Sequence, residues 1–486
     1  MTAPRDPFHH LDATAQAALV ATGEASAREL AEAAIARIEQ LDPPLNAVVS
    51  TRFEHALAEA DAIDATPRQT RGPLAGVPFL VKETDALGGE PYTLGSRLFE
   101  GYVAPKDAGW IAEMRGSGLV ALGKTNVPEF GLIHTTESML YGPCRNPWDH
   151  DVSTGGSSGG ACVAVATGMV PLGSASDGGG SIRYPASACG IVGFKPSRGR
   201  GVPPDQNIAG EPGVVFAVTR SVRDTARLLE LSDGARVAKS KGKGPAPIGF
   251  VEPGTKPLRV AMILPTVEGA SPEPDVEQAV REAARLCEQL GHTVEEATLP
   301  MDGTAFMRHI EMLWASFPAQ LRRTFWLTCL VARGWRWWRW PRYEDALEPW
   351  TRGLADFYRD KERAKRGHIA RATTFLAEAQ RSWARFFASY DLLIGPVQRR
   401  AAHPIGELDP TRPFDELIEV VVKDSGYAAI QNFVGLPAVS LPLGTSAEGL
   451  PLGVMFTGPA MGDATLLKLA YQLEEAAPWA ERWPPA

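Results

Sequence analysis

The spacing of apolar and polar residues along the first part of the chain predicts helices followed by a strand. Residues 12–40 carry apolar side chains at helical spacing. Within them, Ser26 and Glu29 have the spacing of a capping box, which predicts a second helix starting there. Glycine and proline then bracket the short apolar run Val77–Val81, which predicts a buried strand ending at Lys82.

Predicted helices and strands continue to alternate to the end of the chain. GWIAEMRGSGLVALGKTN predicts a helix, a glycine stop and a strand, and ACVAVATGMV predicts a helix whose small residues permit close packing. GIVGF, PLRVAMIL and HTVEEATLP predict strands, and Asp275–Leu290 predicts an amphipathic helix. The C-terminal part of the chain predicts two strands joined by a turn, followed by a closing helix. This order of elements favours an α/β fold whose sheet is covered by helices.

Two segments depart from the alternation. Lys239–Pro247 (KSKGKGPAP) is basic and glycine-rich, which predicts a solvated surface loop. Residues 304–390 are helical in pattern, are rich in Trp and Arg, and contain GWRWWRWPRY. That decapeptide has two interpretations: a membrane-surface or aromatic ligand patch, or a helix whose tryptophans pack on the domain. We favour the second, because adjacent tryptophans cannot all face one side of a helix.

Composition narrows the class of protein. A length of 486 residues suggests about two to four domains. The net charge of −8 gives no support for a nucleic-acid or membrane partner. The five cysteines never form CxxC, which predicts free thiols in a reducing compartment. No signal peptide is visible, and the longest apolar stretch, Ala161–Ala175, is too short to span a bilayer. We therefore expect a cytoplasmic protein.

The first candidate for chemistry is the loop Gly155–Gly160 (GGSSGG). It fits the G-x-S-x-G pattern of a nucleophile elbow, centred on Ser157 or on Ser158. An elbow requires a strand directly before it and a later histidine and acid, whereas NPWDHDVST makes a poor strand. Four downstream histidines lack a recognisable loop context: His292, His309, His368 and His403. No Lys-Ser/Thr follows the glycines, so the loop is not a phosphate loop either.

The second candidate is DGGGSIR, in which Ser181 follows three glycines. Glycine loses more backbone freedom on folding than any other residue, so three in a row before a hydroxyl need a reason. A structural Gly/Ser turn is the default for either loop alone. Ser157 and Ser181 lie 24 residues apart, separated by one predicted helix and a short strand. A returning chain of that length can bring the two loops together.

A nucleophilic serine needs a neighbouring base to remove its proton. Without a plausible histidine, the remaining strong base is a neutral lysine, and serine–lysine catalysis is an established variant. Burial favours the neutral amine because it lowers the pKa of lysine. Lys82 ends an apolar strand and is placed for this role, and Lys124 in GKTN is the rival. Spacing does not choose between them.

Residues 155–200, GGSSGGACVAVATGMVPLGSASDGGGSIRYPASACGIVGFKPSRGR, closely resemble the signature of the amidase signature family. The likeness extends to GPLAGVPFLVKETD, GKTNVPEF, CRNPW and NFVGLPAVSLPLG, and it is weakest across 300–390. It implies one large α/β domain, residues 1–486, built on a mixed, mostly parallel sheet with helices on both faces. It also implies a core motif region at 72–200 and neither a metal nor an organic cofactor. From its Trp-rich composition, we expect the segment 304–390 to cover an apolar pocket.

The resemblance implies roles for individual residues. Ser181 matches the nucleophile of the family, Ser157 its bridging serine on a cis peptide, and Lys82 its catalytic lysine. Neutral Lys82 would accept a proton from Ser157, which would accept one from Ser181 as that oxygen attacks a carbonyl. The supporting residues implied for the site are Asp177, Arg183 and Ser158.

The resemblance also places the oxyanion hole. Its donors would be the backbone N–H groups of Gly178, Gly179, Gly180 and Ser181. The chain departs from the family at Gly178, where threonine is common. That exchange loosens the loop but removes no backbone donor.

The function that follows is hydrolysis of carbon–nitrogen bonds in non-peptide amides through a serine acyl-enzyme. The layout and the ending QLEEAAPWAERWP look most like bacterial hydrolases of nylon-type cyclic amide oligomers, with aryl-acylamidases and carbamate-cleaving urethanases as close competitors. The alternative is the glutamine-hydrolysing component of a tRNA-dependent amidotransferase. A catalytically dead binding protein is disfavoured because all three triad positions are filled. The expected partner is a small amide substrate, and a homodimer is an open alternative to the monomer.

Overall fold

One eleven-stranded sheet forms the centre of the computed structural model. The structure describes residues 6–204, 213–239, 245–254, 256–334, 340–364 and 367–485. The strands are β1 (Val48–Thr51), β2 (Pro78–Lys82), β3 (Val120–Thr125), β4 (Glu137–Ser138), β5 (Gly142–Pro143), β6 (Leu172–Asp177), β7 (Val192–Lys195), β8 (Val214–Thr219), β9 (Arg259–Met262), β10 (Thr293–Glu296), β11 (Leu392–Pro396), β12 (Ala438–Thr445) and β13 (Pro451–Thr457). β4 and β5 form a separate two-stranded ribbon.

Helices flank this sheet. They are α1 (Ala13–Thr22), α2 (Ala27–Leu41), α3 (Phe53–Ala65), α4 (Gly109–Gly116), α5 (Gly159–Ala166), α6 (Arg183–Cys189), α7 (Val222–Lys239), α8 (Pro274–Gln289), α9 (Gly303–Arg323), α10 (Phe325–Arg333), α11 (Tyr343–Ala346), α12 (Pro349–Ala364), α13 (His368–Phe386), α14 (Phe414–Asp424), α15 (Ala429–Val434) and α16 (Asp463–Ala476). The predicted α/β class and the single large sheet are confirmed.

The directions of the strands differ from the expectation of a mostly parallel sheet. The order is β1-β3-β2-β6-β8-β7-β12-β13-β11-β9-β10. Among the described strands, the parallel neighbours are β2–β3, β2–β6, β9–β10 and β9–β11, and every other neighbouring pair in this sheet is antiparallel. Antiparallel pairs predominate because β8 inserts between β6 and β7, and because β12 and β13 form a hairpin. Neither arrangement needs the crossover helix that a parallel pair requires.

Local sequence patterns predicted the positions of several helices and strands correctly. Ser26 Oγ accepts a hydrogen bond from the Glu29 N–H at 3.1 Å, and the Glu29 carboxylate accepts one from the Ser26 N–H at 2.8 Å. The predicted capping box therefore starts α2. Strand β2 is buried at every position and ends at Lys82, as the apolar run predicts. The predicted strands around GIVGF, PLRVAMIL and HTVEEATLP are β7, β9 and β10.

Helix α5 lies at the centre of the structure. It is buried along its whole length and packs against β6, β2 and α6. A Cβ at Gly159 would lie 2.3 Å from Thr136 Oγ1, and one at Gly160 would lie 2.5 Å from the Asn126 nitrogen. The small residues of this segment therefore permit close packing, as predicted, and fix the loop that precedes the helix.

Segment 304–390 is mostly helical where it is described, and it forms most of α9 and the helices α10–α13. Residues 335–339, which are half of GWRWWRWPRY and include three of its four tryptophans, lie outside the described residues, so neither interpretation of that decapeptide is tested. Residues 240–244 of the predicted basic loop also lie outside them. All five cysteines are free thiols, as predicted. In the described ranges, no helix combines the length and the apolar character that a membrane crossing requires.

Candidate active site

The site forms at the edge of the sheet where two parallel neighbours end. β2 and β6 run in the same direction, so Lys82 and Asp177 reach the same edge. Ser157 precedes α5, and Ser181 lies between β6 and α6. The Ser158 N–H donates to the Ser181 carbonyl oxygen at 3.2 Å. The two serine loops therefore meet, as their spacing suggested.

Lys82 is fully buried, and its hydrogen-bond partners among the described residues are uncharged. Its Nζ lies 2.8 Å from Ser157 Oγ and 2.9 Å from Ser176 Oγ, with the Ser176 carbonyl oxygen at 3.4 Å. Burial lowers the pKa of Lys82 to about 8, although the charges of Asp85 and Asp177 oppose the shift. A substantial fraction of this amine is therefore neutral near pH 8 and can accept a proton.

Lys124 has a different environment on the neighbouring strand. Its ammonium forms a buried ion pair with Glu83 and donates to the Pro91 carbonyl oxygen at 3.0 Å. In the described residues it makes no hydrogen bond to either serine loop. Spacing left both lysines open as the base, and the geometry favours Lys82.

A cavity of about 260 Å³ opens in front of the serines. Ser157, Ser181, Gly178 and Gly179 line one part of it. Its walls are mostly apolar, with contributions from Trp110, Phe130, Leu132, Ile133, Phe433 and helix α9. Within the described residues, no hydrogen bond joins the two hydroxyls. Catalytic hydrogen bonds often tighten only when substrate is bound.

The three glycines before Ser181 have different surroundings. A Cβ at Gly178 or Gly179 would meet nothing within 4 Å, so both backbones border open space. The Gly180 N–H instead donates to Asp177 Oδ1 at 2.6 Å. Gly180 has a φ of +125°, and a Cβ there would lie 2.2 Å from the Tyr184 ring. Gly180 is therefore a structural glycine whose amide is already engaged.

A buried ion pair holds this loop. The Arg183 guanidinium donates to both oxygens of Asp177, at 2.9 and 3.0 Å, and both side chains are fully buried. Arg183 also donates to Gln431 Oε1 and Asn432 Oδ1. Burial by itself raises the pKa of Asp177, but the charge and hydrogen bonds of Arg183 lower it to about 2. The carboxylate is ionised and anchors the amides of Gly180 and Ile182.

The loop of Ser157 is shaped by its glycines. The Gly156–Ser157 peptide is cis, as the resemblance implied. A Cβ at Gly156 would lie 2.3 Å from the Thr135 carbonyl oxygen. Among the described residues, no strand ends directly before Gly155. The nucleophile-elbow interpretation is therefore wrong, because its strand–turn–helix context is missing.

Two further serines of the site, Ser174 and Ser176, were not predicted from the sequence. Ser176 contacts the side-chain amine of Lys82. Ser174 Oγ accepts a hydrogen bond from the backbone N–H of Lys82 at 2.8 Å and donates one to the Asp85 carboxylate at 3.1 Å. Both lie on β6 at alternate positions, which places them on one face of the strand. The polar alternation in LGSASD is the signal that could have found them.

A histidine also lines the cavity, and no sequence pattern indicated it. Burial and nearby His403 lower the pKa of His134 to about 4, so its imidazole is neutral at pH 7. Ligand atoms of His134, His403 and Asp424 lie within 4.8 Å of one another. Asp424 already accepts from His403 at 2.8 Å and from Arg399 at 3.1 Å. The Asp424 carboxylate is thus already engaged by two neighbours, which argues against an open cation site.

A family model described as Amidase matches residues 29–467 of the chain. The chain belongs to the amidase family. This amidase is an amidohydrolase that cleaves carbon–nitrogen bonds in non-peptide amides, and the resemblance carried by residues 155–200 is confirmed.

Named relatives cover nearly the whole amidase. Putative amidase AmiC of Mycobacterium tuberculosis is 36% identical over 98% of this chain and 96% of that protein. The 6-aminohexanoate-cyclic-dimer hydrolase of Pseudomonas sp. is 35% identical over 97% and 96%. A solved structure of 6-aminohexanoate cyclic dimer hydrolase complexed with substrate matches with a TM-score of 0.83 at 31% identity, over 98% of this chain and 99% of that chain.

The different surroundings of the glycines give a test of stability. We expect Gly180→Ala to lose about 2 kcal/mol or more of stability, because it adds a Cβ at positive φ against the Tyr184 ring. Gly179→Ala, the matched control, should keep a wild-type melting temperature because its Cβ meets open space. Thermal unfolding of both variants checks this. Equal melting temperatures for the two variants would contradict the structural role of Gly180.

The buried ion pair predicts a second stability effect. Asp177→Asn should be destabilised by about 3 kcal/mol at pH 7, because it leaves the Arg183 charge unpaired. The pKa of Asp177 is depressed, so its contribution is present above about pH 4 and is lost as the pH falls through about 2. Urea midpoints of both proteins between pH 7 and pH 3 provide the measurement. A difference that stays constant below pH 4 would argue against this assignment.

Proposed function

We propose that this amidase acylates Ser181, with Lys82 as the base and Ser157 as the proton relay between them. The observation that supports this most directly is the 2.8 Å contact between Lys82 Nζ and Ser157 Oγ beside the cavity that Ser181 also lines. A buried amine with hydroxyl partners is the type of base that a serine nucleophile needs in the absence of histidine.

The reaction then follows from these positions. Lys82 takes the proton of Ser157, and Ser157 takes the proton of Ser181 as its Oγ forms a bond to the amide carbon. The negative charge on the carbonyl oxygen is stabilised by backbone N–H donors. The relay returns a proton to the nitrogen as the carbon–nitrogen bond breaks, and the amine leaves. Water then attacks the acyl-enzyme by the same relay and releases the acid.

The proposed oxyanion hole has fewer backbone N–H donors than the resemblance implied. The resemblance implied four donors, but the Gly180 N–H already donates to Asp177. The amides of Gly178, Gly179 and Ser181 carry no hydrogen bond to the described residues. We propose these three as the donors, with the engaged Gly180 fixing their direction. Gly178 in place of threonine leaves its N–H in the loop and adds open space beside the cavity.

The cavity supports small amides with apolar substituents as substrates. Its walls are built from aromatic and aliphatic side chains, and they include residues of α9. Two of the compared proteins act, by their names, on the cyclic dimer of 6-aminohexanoate. We propose aliphatic amides, cyclic amide oligomers and anilides as the compounds to test first, followed by carbamates.

The glutamine-hydrolysing alternative has less support from the cavity. Free glutamine carries an α-carboxylate, and carboxylates are usually recognised by arginine or lysine. Among the described residues that line the cavity, none is lysine or arginine. The cytoplasmic location, the homodimer and the single domain over residues 1–486 stay predictions.

Replacement of the nucleophile is the first test. We expect Ser181→Ala to lose about three orders of magnitude or more in kcat, because the triad acts as a unit. The assay is release of 4-nitroaniline from a 4-nitroanilide, with circular dichroism as the control for folding. A variant that keeps a tenth of the wild-type rate would exclude Ser181 as the nucleophile.

The proposed role of Lys82 as the base leads to an expected pH dependence of kcat/KM. The value of kcat/KM should rise with pH through about 8, because only the neutral form of Lys82 accepts a proton. Lys82→Arg should be nearly inactive, since guanidinium stays protonated in this range. Lys124→Arg keeps the charge opposite Glu83 and should retain both activity and the alkaline rise. An inactive Lys124→Arg beside a near-normal Lys82→Arg would reverse the assignment of the base.

A further inference from the structure

One wall of the cavity carries a carboxylate that the proposed reaction does not use. On α9, Met307, Ile310, Glu311 and Trp314 all line the cavity. Their spacing of three and four residues places them on one face of the helix. Glu311 is the charged member of an otherwise apolar face.

Glu311 has no hydrogen bond or ion pair with the described residues. The charges that influence it through space are those of Glu268, Lys361 and Arg308. Arg308 points to the Thr304 carbonyl oxygen of its own helix, at 3.3 Å. The Lys361 ammonium lies over the Phe357 ring, 5.3 Å from its centre. Burial raises the pKa of Glu311, and the repulsion of Glu268 adds to that shift.

The other two carboxylates of the cavity are compensated. Asp177 is paired with Arg183. Asp85 accepts a hydrogen bond from Ser174 and acts on the charge of Lys82. With no lysine or arginine among the described lining residues, Glu311 is a half-buried carboxylate that has no ion-pair partner in the described part of the chain. A half-buried unpaired carboxylate costs free energy that a cationic ligand can recover.

We propose that Glu311 binds an ammonium group of the substrate, so that the preferred amides carry a protonated amine away from the scissile bond. This inference rests on the proposed amidase reaction and names its substrate class. The apolar side chains around Glu311 then contact the methylene chain that joins the ammonium to the amide. An acidic substituent at the same position would be repelled by Glu311 and disfavoured.

The test compares pairs of substrates that differ only in this charge. The probes are 4-nitroanilides of ω-amino acids with about four to six carbons, each beside the acyl anilide in which a methyl replaces the ammonium. We expect one chain length to favour the ammonium member in kcat/KM by about tenfold or more. Glu311→Gln should reduce that ratio to near one, whatever change in turnover the two substrates share.

Glu268→Gln is the matched control, because it removes the same charge from an exposed residue that does not line the cavity. Because Glu268 acts on Glu311 only through space, its removal should change the ratio much less than Glu311→Gln does. A ratio near one at every chain length in the wild type would overturn the proposal. A preference that survives Glu311→Gln, or that falls equally in Glu268→Gln, would also overturn it.

Binding measurements separate this inference from the proposed reaction. The same pairs can be titrated by calorimetry into Ser181→Ala, with and without Glu311→Gln, where no turnover is needed. Absence of hydrolysis in the wild type would count against the proposed function alone. Equal Kd values for the ammonium and methyl members would count against the role of Glu311, even if both anilides are hydrolysed.

Discussion

The site depends on a lysine that is buried without a carboxylate at ion-pair distance in the described residues. Strands β2 and β3 each bury a lysine, but only one of them is ion-paired. Glu83 is the counter-ion of Lys124, and it holds that side chain in the protein interior. Lys82 instead contacts the hydroxyls of Ser157 and Ser176. Because hydroxyl groups do not compensate a buried charge as a carboxylate does, burial favours the neutral amine.

The second constraint is the shape of the loop that carries the proposed nucleophile. The Asp177–Arg183 pair fixes Gly180 through its amide, and Gly180 in turn packs against Tyr184. Gly178 and Gly179 line the cavity, and a Cβ at either would meet nothing within 4 Å. A rigid anchor beside a bare backbone is what an oxyanion hole requires, because donors that are oriented in advance need no reorganisation during the reaction.

Much of this could be predicted from the sequence, and the limits have physical causes. The capping box at Ser26 and the strand ending at Lys82 are set by neighbours in the chain, so local patterns identify them. The prediction of a mostly parallel sheet was wrong, because the strand directions depend on where β8 inserts. That position is set by contacts between residues far apart in the chain. The separation of Lys82 from Lys124, and the position of Glu311 in the cavity, depend on which way side chains point after folding. Residue spacing carries little of that information.

The central claim is that Ser181 attacks while Ser157 relays the proton, and covalent labelling distinguishes the two hydroxyls most directly. The amidase would be treated with a fluorophosphonate, digested, and the labelled peptide identified by mass spectrometry. We expect phosphonylation of Ser181 in the wild type, an unlabelled Ser157, and a labelling rate that rises with pH through about 8. Label on Ser157, or equal labelling in Ser181→Ala, would contradict it.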